Sequence, residues 1–338
     1  MLRLAIHTYS LRLRHTFRIA HGSRDEQPTV IVSLSDGTFT GYGEATATRY
    51  YGLDQAEMVE RLENWRTAIE QTPLDSAEAY WERLFTLIGE HPFEQCALDE
   101  AAHDLVAQQG GLPLYQKWGL NFSGTPLTDY TIGFGPVEEM LAKMAAMPWP
   151  IYKIKLGTAE DMEIMRALRR HSEAVFRVDA NTAWTAEETI SRAPELKELG
   201  VEFIEQPLRP EDKTGQARVF RECVLPVIAD ESCQREADVA RCAGLFHGIN
   251  VKLMKCGGLT PAMRMIRQAR DLSMHVMVGC MTESSVGISA IAHLLPLLDY
   301  VDMDGALLLA DDPADGVQIQ EGKIRFSGRN GIGARLLR

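Results

Sequence analysis

The chain has no CxxC pair, no regular cysteine spacing and no apolar run approaching the length of a transmembrane helix. Its six cysteines, Cys96, Cys223, Cys233, Cys242, Cys256 and Cys280, are scattered through 338 residues. A disulfide framework is therefore not expected, and reduced thiols are. The amino terminus, MLRLAIHTYSLRLRH, alternates like a strand and lacks the apolar core of a signal peptide. These absences predict a cytoplasmic protein without a membrane partner. Positive charge is also short: 35 lysines and arginines stand against 47 aspartates and glutamates, a formal net charge of −12. That balance speaks against nucleic acid, since phosphate recognition wants a basic face. There is no HExxH pair, no G-x-S-x-G elbow and no Gly-rich dinucleotide fingerprint. GFGP at 133–136 lacks the extra glycine of a phosphate loop and reads as a turn. His15, His21, His103, His275 and His293 show no metal spacing and read as structural.

What is present is an ordinary globular composition, 45% hydrophobic and 24% charged. The length accommodates a (β/α)₈ barrel of about 250 residues with a smaller companion domain. Residues 2–19 alternate, and TVIVSLSDGTFTGYGEA reads as two strands joined at Asp36-Gly37. Helical segments follow near 54–70, 76–88 and 94–109, up to the Gly110-Gly111 break. From Tyr130 the rhythm changes to strand–helix alternation, with strands near 129–134, 151–156, 175–179, 202–205, 226–229, 248–252, 275–279 and 299–303. Eight such units favour a closed α/β (TIM-type) barrel over an open sheet. The expected organisation is an α+β capping domain over 1–125, the barrel over 126–310, and a C-terminal segment, 311–338, returning to the cap through a hairpin in VQIQEGKIRFS.

The chemistry-bearing residues fall at the ends of those strands. Asp179 ends VFRVD, Glu205 ends VEFIE and Asp230 ends PVIAD, one βα unit apart. Barrel strands deliver their C-terminal ends into one cup, so three hard oxygen donors without matching Cys or His suit Mg²⁺. Glu231 and Asn181 are neighbours of this set rather than ligands. Lys153 and Lys155 are two apart in YKIKLG and share a face, where a barrel strand would otherwise carry Val or Ile. One is expected to be a base and the other an electrostatic partner. Repulsion, burial and a nearby cation should lower a lysine pKa. Lys155 is on the second strand and Lys252 closes the sixth, diametrically opposite in a ring of eight. A substrate between them meets an amine on each face, which permits inversion of a stereocentre. Lys255 is the rival for the second amine. Asp302 and Asp304, in YVDMDG, share a face without an obvious lysine partner and read as a clamp for a substrate ammonium group.

With these residues in hand, the chain resembles the enolase superfamily, muconate-lactonising-enzyme subgroup, and within it the dipeptide epimerases. The matching stretches are HGSRDE, GYGEA, YKIKLG, VDAN, IEQPL, ADES, NVKLMKCGG, VGCMTES and VDMDG. The resemblance implies Lys155 and Lys252 as the acid/base pair, Lys153 as support for the enolate, and Asp179, Glu205 and Asp230 as Mg²⁺ ligands. It implies Asp302 and Asp304 as the ammonium site and Arg24, in a capping-domain loop, as the partner of an acidic substrate side chain. The implied substrate is a dipeptide, L-Ala-D/L-Glu, in murein peptide metabolism, and the implied assembly a homo-oligomer. N-acylamino acid racemase, o-succinylbenzoate synthase and cycloisomerase activities are the alternatives within the subgroup, and a non-catalytic metal-binding relative the alternative outside it.

Overall fold

The computed structural model describes residues 1–19 and 22–337. Ala20, His21 and Arg338 lie outside the described residues, and with them the expectation for His21. Strands β1 (Arg3–Ile19), β2 (Gly22–Ser35) and β3 (Thr40–Thr46) form an antiparallel sheet with β2 in the centre. The VIVSL run of β2 explains its place, because Val30, Ile31, Val32 and Leu34 are all fully buried. Helices α1 (Gln55–Gln71), α2 (Ala77–Ile88) and α3 (Pro92–Gln109) follow, α1 and α2 capped by the side chains of Asp54 and Ser76. Helix α3 lies directly on β3. A Cβ at Gly41 or Gly43 would stand 2.1 Å from the Ala101 carbonyl or 2.0 Å from that of Ala97, so GYG is the contact that lets helix and strand backbones touch.

Two local expectations change. The turn at Asp36-Gly37 is a four-residue loop, Ser35 pairing with Thr40. Asp36 closes it by accepting the amides of Thr38 and Phe39, both at 2.8 Å. The polar stretch around Arg24 is not a loop. It is strand, with Arg24 opposite Phe17 beyond an irregularity after Arg12. Polar composition suggested a loop, but backbone pairing along a two-stranded ribbon requires no apolar face.

The barrel strands are β4 (Tyr130–Ile132), β5 (Ile151–Lys155), β6 (Val175–Asp179), β7 (Val201–Glu205), β8 (Val227–Ala229), β9 (Gly248–Val251), β10 (His275–Gly279) and β11 (Tyr300–Asp302). They pair in sequence order, all parallel. Thr128 bridges to Val301, bringing the first strand round to the last, and the Met303 amide donates to Thr128 Oγ1 at 2.9 Å. Inward positions low in the barrel are plugged by Phe203, Ile228 and Met277, with Tyr300 packed against them. Beside the plug the buried Arg177 donates to Asp129 (2.9 Å), Glu202 (2.8 Å) and the Val301 carbonyl (2.9 Å). With its floor closed, the barrel offers chemistry only at the upper end of its strands.

Four short strands end the chain: β12 (Ala314–Asp315) pairs with β15 (Arg335–Leu336), and β13 (Gln318–Gln320) with β14 (Lys323–Arg325). Beyond the hairpin, the Ile332 amide donates to Asp104 on α3 at 2.8 Å, and Phe326 stacks on Tyr115 with ring centroids 5.2 Å apart. Among the described residues no helix is long and apolar enough to cross a membrane.

Candidate active site

Parallel register sets the upper layer of the barrel. Lys153 stands opposite Arg177, and Lys155 opposite Asp179, which in turn stands opposite Glu205. Asp230 is the first residue past β8, Lys252 the first past β9, and Asp302 ends β11. One cavity under the cap is lined by Lys153, Lys155, Asp230, Lys252, Asp302 and Asp304. Arg24, from the β1–β2 ribbon, lines the same cavity. Its Nη2 donates to Thr282 Oγ1 at 2.9 Å, and burial pushes its pKa down. Asp179 and Glu205 lie fully buried behind the lysines.

The lysines sit on the carboxylates. Lys153 Nζ is 2.8 Å from Asp302, 2.8 Å from Glu205 and 3.3 Å from Asp179. Lys155 reaches Asp179 at 2.6 Å and Lys252 reaches Asp230 at 2.9 Å. One sequence expectation is corrected here. Asp302 does have a lysine partner, Lys153, which strand order and not sequence distance supplies. At Lys153 and Lys252 two opposing effects meet. Burial pushes both down, but the facing carboxylates prevail and hold both well above the ordinary value. The acids respond in kind: against the upward push of burial, Lys155 and Lys153 lower Asp179, and Lys252 and Lys255 lower Asp230. Glu205 is raised because burial there outweighs Lys153. Asp302 is drawn down to about 2, Lys153 overcoming burial. Asp304 is pushed up to about 7 by burial and by Asp302, although it accepts the Thr131 amide at 2.6 Å.

Lys255 is a different kind of lysine. Its Nζ is spent on Asp230 Oδ1 (2.5 Å), the Asp230 carbonyl (2.7 Å) and the Cys233 carbonyl (3.2 Å), behind the acid rather than in the cup. Asn181 lies 3.4 Å from Glu231 and closes a turn on Asp179 through its amide, at 2.9 Å. Asn181, Thr182 and Gln206, just past the two acid-bearing strand ends, adopt left-handed φ of 40°, 68° and 33°. For Thr182 this is strained backbone, concentrated where the side chains must be aimed.

Several residues in and around the site escaped the sequence reading. Asn250 donates to Glu205 at 2.8 Å, and its signal was an inward amide two before Lys252 in an otherwise apolar strand. Tyr50, Tyr51 and Thr131 face the cavity with no motif to announce them, and Met281 faces it from VGCMTES. His103 and His293 are buried, bonded to Thr260 and to the Tyr115 amide.

The donor set fits a hard divalent cation. Asp179, Glu205 and Asp230 converge from three adjacent strands, all oxygen, and here they are neutralised by ammonium groups that a metal could replace. Among the described residues the group whose ligand atoms all lie within 4.8 Å of one another is not this one but Cys280, Asp302 and Asp304. It mixes a thiol with carboxylates already engaged by Lys153 and the Thr131 amide, which suits an organic ammonium better than Mg²⁺.

Comparisons with known proteins identify the family. Residues 3–119 match the family described as mandelate racemase / muconate lactonizing enzyme, N-terminal domain, and 137–338 match the enolase C-terminal domain-like family. An L-Ala-D/L-amino acid epimerase of Flavobacterium johnsoniae is 52% identical over 99% of this chain and 100% of its own length. An L-Ala-D/L-Glu epimerase of Bacteroides thetaiotaomicron is 39% identical over 98% of this chain and 87% of its own. The crystal structure of a dipeptide epimerase from Cytophaga hutchinsonii, complexed with Mg and D-Ala-L-Val, superposes with a TM-score of 0.94 at 26% identity, covering 100% of this chain and 96% of that one. By sequence over both domains and by fold, the chain belongs to the mandelate racemase / muconate lactonizing enzyme family of the enolase superfamily.

Proposed function

We propose that the protein is a Mg²⁺-dependent dipeptide epimerase that carries the α-proton of the C-terminal residue from one face to the other. The observation that carries this is a single cavity lined by Lys155 and Lys252, on opposite strands of the ring, with Asp302 and Asp304 at its side. Asp179, Glu205 and Asp230 would hold Mg²⁺, which would supply positive charge to the substrate carboxylate in place of the ammonium groups now paired with those acids. In one direction Lys155 accepts the α-proton, Lys153 donates to the charge that develops on the carboxylate, and Lys252 protonates the opposite face. In the other direction the two outer lysines exchange roles.

Lys255 has no part in this transfer, since its three acceptors hold it behind Asp230. Asp302 and Asp304 receive the dipeptide's ammonium group. Arg24 offers a planar fork to a side-chain carboxylate, so L-Ala-D/L-Glu satisfies every charged group in the cup. The names of the two relatives bracket this choice, one broad in the second residue and one specific for Glu. A cytoplasmic role in murein peptide turnover follows from that substrate, and assembly into a homo-oligomer is part of the same proposal. L-Ala-L-Glu incubated in D₂O should gain one α-deuterium and yield the epimer, stop after chelation and resume with Mg²⁺. Absence of exchange across a dipeptide library with Mg²⁺ present would overturn it.

A further inference from the structure

The segment following β10, Cys280 to Ser284, carries Met281 and Thr282 into the cavity, and Thr282 accepts the hydrogen bond from Arg24. A loop so placed needs an anchor, and the anchor comes from the cap. Glu44, the acid of GYGEA on β3, is fully buried. Its Oε1 accepts Thr29 Oγ1 at 2.8 Å and the Ser284 amide at 3.0 Å. Its Oε2 accepts the Ser284 amide at 3.0 Å, the Ser284 hydroxyl at 2.5 Å and the Gly287 amide at 3.2 Å. Ser284 in turn caps the helix Ser285–Ala292 by accepting the Val286 amide at 3.1 Å. On the cap side the Glu44 amide donates to Glu100 of α3 at 3.0 Å. Every hydrogen bond to the Glu44 carboxylate is one it accepts, which suits a carboxylate with its full complement of lone pairs, although burial pushes its pKa up. The result is a continuous strut: α3, Glu44, Ser284, Thr282, Arg24.

We infer that Glu44 is a positioning residue for substrate selection, fixing the 280–284 loop so that Thr282 holds the Arg24 guanidinium at the cavity. The kinetic part of this rests on the dipeptide reading, and the structural part does not. Glue between two domains would be a blander role, and the two differ in what a substitution disturbs. Glu44→Gln keeps the shape but turns one end of the side chain into a donor, and either flip sets that NH₂ against the Ser284 amide, with the Gly287 amide beside it on the Oε2 side.

The test is hydrogen–deuterium exchange of the Mg²⁺-loaded protein, followed by kinetics on L-Ala-L-Glu and L-Ala-L-Leu. In Glu44→Gln, exchange should rise over 281–287 and over 22–27 while β6 to β8 keep their protection. The kcat/KM on L-Ala-L-Glu should fall about tenfold or more, with that on L-Ala-L-Leu held within about threefold. Unchanged exchange over 281–287, or equal loss on both dipeptides, overturns the inference. A wild type indifferent to the acidic side chain would sink the Ala-Glu reading instead, leaving exchange to decide the strut. Should Glu44→Gln not fold, Ser284→Ala, which removes the hydroxyl donor alone, carries both arms with the same outcomes.

Discussion

Replacing Lys252 and Lys255 one at a time separates a lysine that works from one that supports. Both contact Asp230, yet they are embedded differently. Lys255 is 2% exposed and satisfies three acceptors, one of them charged. Lys255→Met removes the donor to the Cys233 carbonyl, leaves the Asp230 carbonyl only the Cys233 amide at 3.1 Å, and strips the buried Oδ1 of Asp230 of its partner, with only the cavity-facing Lys252 left on the acid. Breaking a buried pair from one side costs about 3–5 kcal/mol, a large share of the roughly 5–15 kcal/mol that holds a domain together. Lys252 faces the cavity, and without it Asp230 still keeps Lys255 at 2.5 Å. Lys252→Ala should therefore cost no more than about 2 kcal/mol. Urea unfolding in metal-free buffer reads the stabilities, and α-proton exchange in D₂O reads the chemistry. Lys252→Ala should stay folded, stop epimerising and still exchange the α-proton of one epimer. Lys255→Met should unfold early, with turnover tracking its folded fraction. A Lys255→Met protein as stable as wild type and dead to both epimers, or a Lys252→Ala protein that epimerises normally, would refute this division.

Two further outcomes follow from the same contacts. Arg24→Met should lower kcat/KM on L-Ala-L-Glu by roughly 10- to 150-fold, the worth of a desolvated charge-assisted pair, and spare L-Ala-L-Leu; equal loss on both would demote Ala-Glu. Burial lowers His293 to about 4 from 6.5, so the unfolded chain takes up a proton that the folded one refuses. This contribution is intact above pH 6.5 and should fade as pH drops towards 4, by about 3 kcal/mol in all. Subtracting the urea stabilities of a His293→Phe variant should isolate that slope, and a difference constant between those pH values would contradict it.

The barrel was legible because its strands are short apolar runs bounded by helices with clear periodicity, and period and length are local properties. Boundaries in the barrel came within two residues of the observed ones. The cap was harder, since pairing along the β1–β2 ribbon depends on a partner strand and not on composition. That is why the stretch bearing Arg24 looked like a loop and is strand.

The candidate site divides in the same way. Residue type and strand-end position, both written in the sequence, marked the three carboxylates and the paired lysines, and eight βα units read as a closed ring in sequence order set Lys155 opposite Lys252. What each charge touches was decided only by the tertiary structure. Lys153 meets Asp302 across 149 positions, Lys255 turns behind Asp230, Asn250 steadies Glu205, and Glu44 reaches a loop 240 residues away. Electrostatics and hydrogen bonding act over a few ångströms of space, and sequence records distance along the chain.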